Sequence, residues 1–132
     1  MKFFTIAELC KSTTADRLGI NNRCRQEHVT ALTALVDNVL DPLRTWWGKP
    51  ITVNSGYRCP ELNAAVKGSK SSQHMVGEAA DIDTGDRQQN KLLFEYIRKN
   101  LPYDQLIDES NFAWVHVSYR ADGDNRMQVL KL

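Results

Sequence analysis

Asp104-Gln-Leu-Ile-Asp-Glu109, Ser110-Asn-Phe-Ala113 and Trp114-Val-His-Val-Ser-Tyr119 follow one another without a break near the C-terminus. The outer two stretches read as short strands, and the four residues between them have hairpin spacing. Upstream, Glu78 to Asp83 alternates as a strand does, and Ile51-Thr-Val-Asn-Ser55 reads as another, turned by Gly56. Arg126 to Leu132 alternates weakly and is expected to add an edge strand. Helical patterns lie mostly ahead of these strands. From Arg25 to Trp47 the apolar residues Val29, Leu32, Val36, Val39, Leu40, Leu43 and Trp47 recur at three- and four-residue steps, the period of an amphipathic helix, with Gly48 and Pro50 ending it. Shorter helices are expected from Thr5, where Thr-x-x-Glu8 is a capping box, from Thr13 to Gly19, from Pro60, and from Asp86 to Lys99. Helices first and hairpin-linked strands later predict an α+β fold with a mostly antiparallel sheet and helices packed on one side.

The rest of the chain is consistent with one such unit. Its 132 residues suit a single domain, 1–132. Hydrophobic residues make up 42% and charged residues 25%, an ordinary globular composition. Seventeen Lys and Arg against sixteen Asp and Glu give a formal charge of +1, and the basic residues are scattered, so no nucleic-acid partner is expected. No stretch is long and apolar enough for membrane insertion, and the first residues do not read as a signal peptide. The chain is therefore expected to be made in a cytoplasm, and to act elsewhere only after release by lysis or injection. With no heptad pattern, a monomer is the default. The odd cysteine count (Cys10, Cys24, Cys59) without a CxxC motif favours reduced thiols, with a Cys10–Cys24 bridge as the alternative.

Chemistry concentrates in Ser71-Ser-Gln-His74-Met-Val-Gly77-Glu-Ala-Ala-Asp81-Ile-Asp83. His74 and Asp81 share one metal only if the chain reverses between them, and Gly77 is where that reversal is cheapest. Alternation puts Ala79, Asp81 and Asp83 on one face of the strand and Ala80 with Ile82 on the other. In the late strand Trp114, His116 and Ser118 share a face. Two histidines and a carboxylate form a ligand set for a catalytic zinc with an open position.

Ser72-x-His74-x-x-Gly77-x-Ala79-x-Asp81, the earlier Ser55-Gly-Tyr-Arg58 and the later Trp114-Val-His116 together resemble the zinc D-Ala-D-Ala carboxypeptidase family, which shares its fold with hedgehog signalling domains. The resemblance covers nearly the whole chain and is closest to the short, single-domain branch that includes phage and prophage endolysins. It implies His74, Asp81 and His116 as ligands of one Zn²⁺ per chain, with Arg58 and Ser72 holding the substrate. The implied activity is a metallopeptidase that cleaves peptidoglycan stem peptides, either at D-Ala-D-Ala or at an internal bond such as L-Ala-D-Glu. Many family members carry a Glu three residues before the last histidine ligand, where this chain has Ala113. The general base then falls to Glu109, with Asp108 as competitor, because alternation alone does not choose between them. The empty position keeps a rival reading alive, a non-catalytic zinc-binding domain or a structural phage tail part.

Overall fold

A computed structural model describes residues 1–132. Its helices are α1 (Ile6–Cys10), α2 (Thr13–Leu18), α3 (Gln26–Leu35), α4 (Asp41–Trp47), α5 (Pro60–Ala65) and α6 (Arg87–Asn100). Its strands are β1 (Thr52–Ser55), β2 (Ala79–Asp83), β3 (Gln105–Glu109), β4 (Trp114–Ser118) and β5 (Gln128–Lys131). They form one sheet in the order β1-β2-β4-β3-β5. All neighbours are antiparallel except β3 and β5. The α+β architecture therefore matches the expectation, with β5 on the edge and parallel to its neighbour.

The amphipathic stretch from Arg25 to Trp47 is helical throughout, but not uniformly α. Val36–Leu40 is a π-helical turn between α3 and α4. Pro42 supplies the reason: it has no N–H to give the carbonyl four residues back, and its ring crowds that carbonyl. The Asp41 N–H accordingly bonds the Val36 carbonyl five residues back. One extra residue in the turn relieves the conflict.

One face of the sheet carries Ala80, Ile82, Leu106, Val115 and Val117, all fully buried. They form one apolar cluster with Leu32, Leu35, Val36, Val39, Leu40 and Leu43 of the long helix and Leu93, Phe94 and Ile97 of α6. The opposite face carries the polar residues. Its hairpin turn is unusual, since Ser110, Asn111 and Phe112 all have positive φ. Two side chains hold it in place. Asp108 accepts the Phe112 N–H at 2.6 Å, and the buried Asn90 amide donates to the carbonyls of Phe112 and Ala113.

The cysteines correct the sequence reading. Cys10 and Cys24 form a disulfide and only Cys59 is free. Neither cysteine shows its partner by spacing. They meet because the loop after α2 folds back along α1, where the Asn22 amide donates to the carbonyls of both Cys10 and Tyr57.

Candidate metal centre

Two adjoining segments, the turn before β2 and β2 itself, together with the distant β4 deliver the polar face. Ser72 caps a single 3₁₀ turn, Gln73–Val76, its hydroxyl accepting the His74 N–H at 3.2 Å. Gly77 ends that turn in the left-handed region at φ +77°, and a Cβ there would press on the His28 carbonyl. The reversal predicted at Gly77 is thus present, and it carries His74 back over β2. Asp81 lies in the middle of β2 and is directly paired with His116 of β4.

Donor atoms from all three converge. His74 Nε2 lies 3.4 Å and His116 Nδ1 3.0 Å from Asp81 Oδ1. They are the one group of three or more potential ligands in the molecule whose atoms all lie within 4.8 Å of one another. Zinc bound tetrahedrally at about 2.0–2.2 Å holds neighbouring ligand atoms roughly 3.3–3.6 Å apart. The set therefore fits a zinc ion in both chemistry and spacing. His74 is also fixed in the tautomer a metal needs. Its Nδ1 lies 2.7 Å from the Gly56 carbonyl, which can only accept, so the proton sits on Nδ1 and the Nε2 lone pair is free. Burial alone would raise the Asp81 pKa, but the His116 and His74 rings facing its carboxylate outweigh it and hold the carboxyl well below the usual carboxylate range.

The Ser55-Gly-Tyr-Arg58 element surrounds these ligands. Gly56 orients His74 and packs so closely on Leu9 that a Cβ would strike the Leu9 carbonyl. Arg58 donates from Nε to Ser55, from Nη1 to Asn63 and from Nη2 to the second oxygen of Asp81. Arg58 and Ser72 both line the cleft over the donors, as a substrate role requires. Each also carries a structural duty that the sequence did not disclose.

That cleft measures about 750 Å³, and Glu109, Trp114, Ile107, Gln73 and Arg126 also border it. Strand register now separates the two candidate bases. Ile107 pairs with His116 and Glu109 with Trp114, so Glu109 shares the metal-facing side. Asp108 pairs with Val115, points to the core side and is occupied by the turn. The Glu109 carboxyl is pushed up, first by burial and then by the negative charge of Asp81, with the two histidines opposing. Asp83, at the strand end, accepts from Asn90 and the Gly85 N–H and stands apart from the donor triad. A separate concavity of about 640 Å³ runs past Tyr57 and His28, whose rings stack at 4.2 Å, but no donor triad converges there.

An α+β fold with a buried His-Asp-His donor set is what this geometry defines, and the chain belongs to the Peptidase M15 family, whose model matches residues 2–118. It is 38% identical over 76 residues to the "Zinc D-Ala-D-Ala carboxypeptidase" of Streptomyces albus G. That match spans half of this chain and 30% of the length of that relative.

Proposed function

We propose that the chain is a zinc-dependent peptidase that cleaves peptidoglycan stem peptides, with His74, Asp81 and His116 as the ligands. The observation that carries this reading is the convergence of those three donors on one cleft wall, beside a half-buried carboxylate with no protein partner, Glu109. When bound, zinc supplies Lewis acidity toward a peptide carbonyl and lowers the pKa of water to about 7. The remaining work falls to the chain's own residues. Glu109 takes a proton at its carboxylate and returns it to the leaving amine, a role its raised pKa suits. Arg58 fixes the second oxygen of Asp81 and, with Ser72, borders the path of the peptide. Trp114 pairs directly with Glu109 and forms the adjoining wall of the cleft.

The presence of Glu109 on the metal-facing side favours a peptidase over the non-catalytic reading that Ala113 left open. The disulfide agrees with work outside a reducing compartment, as expected of a cell-wall lytic enzyme of phage type released by lysis or injection. The decisive experiment combines metal analysis with hydrolysis of an acyl-D-alanyl-D-alanine and an acyl-L-alanyl-γ-D-glutamyl peptide. Wild type is expected to hold about one zinc per chain and to cut one of the two peptides. His74→Ala is expected to lose both metal and cleavage, since removal of one of three protein ligands leaves too few donors for a tight site. A protein that refuses zinc, or that binds it and cuts neither peptide, rules the proposal out.

A further inference from the structure

Besides Arg58, the cleft is bordered by a second arginine with very different surroundings. Arg126 sits just ahead of β5, and its guanidinium lies side-on against Asp104, Nε to Oδ1 at 3.0 Å and Nη2 to Oδ2 at 2.7 Å. Its own backbone N–H closes on the same carboxylate at 2.9 Å. Asp104 is fully buried, whereas the Arg126 side chain is 51% exposed. A guanidinium has five N–H donors in a rigid plane, and a side-on pair uses only the Nε edge. The Nη1–Nη2 edge is left free, and it is held in a fixed orientation by a buried anion.

Gln73 completes the arrangement. Its amide nitrogen donates to Asp104 Oδ2 at 3.0 Å and to Glu78 at 3.1 Å. Its Oε1 is the one buried side-chain polar atom without a hydrogen-bond partner. Gln73 and Arg126 both border the cleft, and Gln73 directly precedes the ligand His74 in the chain. One buried carboxylate therefore holds a free donor fork and an unsatisfied acceptor side by side. Buried acceptors are almost always satisfied, so this one calls for a donor, a water or the N–H of a bound group.

We infer that Arg126 and Gln73 form an anchor for an N-acylated amino acid with a free α-carboxylate, the residue on the leaving side of the cleaved bond. The carboxylate takes the Arg126 fork end-on, and the adjacent amide N–H meets Gln73 Oε1. The spacing agrees. Gln105, next to Asp104, is two positions along β3 from Ile107, the partner of His116, roughly 7 Å at about 3.3 Å per residue. Glu109 lies the same number of positions beyond Ile107 in the opposite direction. Arg58 is less suited to this task, since each of its nitrogens already meets a protein acceptor and its side chain is only 17% exposed.

This anchor rests on the peptidase reading for its substrate, so its test is built to fail separately. Both the D-alanyl-D-alanine and the L-alanyl-γ-D-glutamate peptides place a free carboxylate on the leaving residue. Each is offered to the zinc-loaded protein as the carboxylate and as the carboxamide. For the peptide that is cut, Arg126→Gln is expected to lower kcat/KM on the carboxylate roughly 10- to 100-fold, mainly through KM, and to leave the carboxamide rate unchanged. Arg126→Lys keeps the charge but not the planar fork, and should fall between; it also serves if the glutamine variant does not fold. Equal losses on carboxylate and carboxamide would mean that Arg126 only supports the fold, and the anchor is then wrong. If neither peptide is cut, the peptidase reading fails while the anchor remains measurable by NMR titration with N-acetyl-D-alanine. Binding weakened about tenfold or more by Arg126→Gln, and lost for the carboxamide ligand, supports the anchor. Equal affinities, or no binding to wild type, overturn it.

Discussion

The two faces of the central sheet are made from the same fifteen residues of β2, β3 and β4, yet they do opposite work. Ala80, Ile82, Leu106, Val115 and Val117 are sealed against the long helix and α6. One position away in each strand, Asp81, Ile107, Glu109, Trp114 and His116 line or border the cleft. Hydrophobic burial on the first face makes the register costly to change, because a slip by one residue would send every apolar side chain into the cleft. That rigidity is what keeps Asp81 and His116 directly opposite each other. The core face supplies the geometry, and the cleft face supplies the chemistry.

Asp108 and Glu109 are the sharpest test of this division, since they are adjacent carboxylates on opposite faces. Glu109→Gln is expected to lower kcat about 10²- to 10⁴-fold while zinc content stays at the wild-type level. Asp108→Asn removes the charged acceptor of the Phe112 N–H and should cost about 1.5–3 kcal/mol of stability with kcat near wild type. Steady-state kinetics, metal analysis and chemical denaturation read all three quantities. An inactive Asp108→Asn beside an active Glu109→Gln would reverse the assignment and break the parity argument.

On the core side the expected effect falls on stability and not on rate. Leu106 is fully buried between the sheet and its helices, so Leu106→Ala should lose about 2–5 kcal/mol by denaturant titration. Zinc content and kcat, measured well below the melting temperature, should persist. Loss of zinc from a folded Leu106→Ala protein would show that the two faces are less separable than their geometry implies.

Much of this arrangement was legible in the sequence because it rests on short-range patterns. Strand alternation identified the faces of β2 and β4, and the His74-x-x-Gly77 spacing marked the reversal. What escaped depends on contacts between distant segments. Asp108 against Glu109 was undecidable until β4 fixed which parity faces His116. The Cys10–Cys24 pairing follows from a loop held by Asn22, and no spacing rule announces it. The π turn had a local signal in Pro42, which the strong apolar period of the long helix obscured. Arg126 looked like one more basic residue near the C-terminus, because its meaning depends on Asp104, 22 positions earlier.

Asp104, buried beneath Arg126 and Gln73 at the border of the cleft, carries a pH signature of its own. Its hydrogen bonds from Arg126 outweigh the opposing effect of burial and hold its carboxyl below the usual carboxylate range. A depressed carboxylate pKa stabilises the fold fully above the unfolded value of about 3.9. That contribution declines as the pH drops below about 3.9 and is gone once the pH has passed the folded value. Asp81, Asp83 and Glu95 are shifted in the same direction, so the acid limb of the wild-type protein is shared among them and Asp104. Asp104→Asn isolates one contribution: its melting temperature should lie furthest below wild type near pH 7, and the gap should narrow at pH 3. Thermal melts at the two pH values measure this directly. A gap that stays constant would mean that Asp104 holds Arg126 and Gln73 through shape and neutral hydrogen bonds alone. The fixed guanidinium edge at the mouth of the cleft would then owe nothing to the buried charge beneath it.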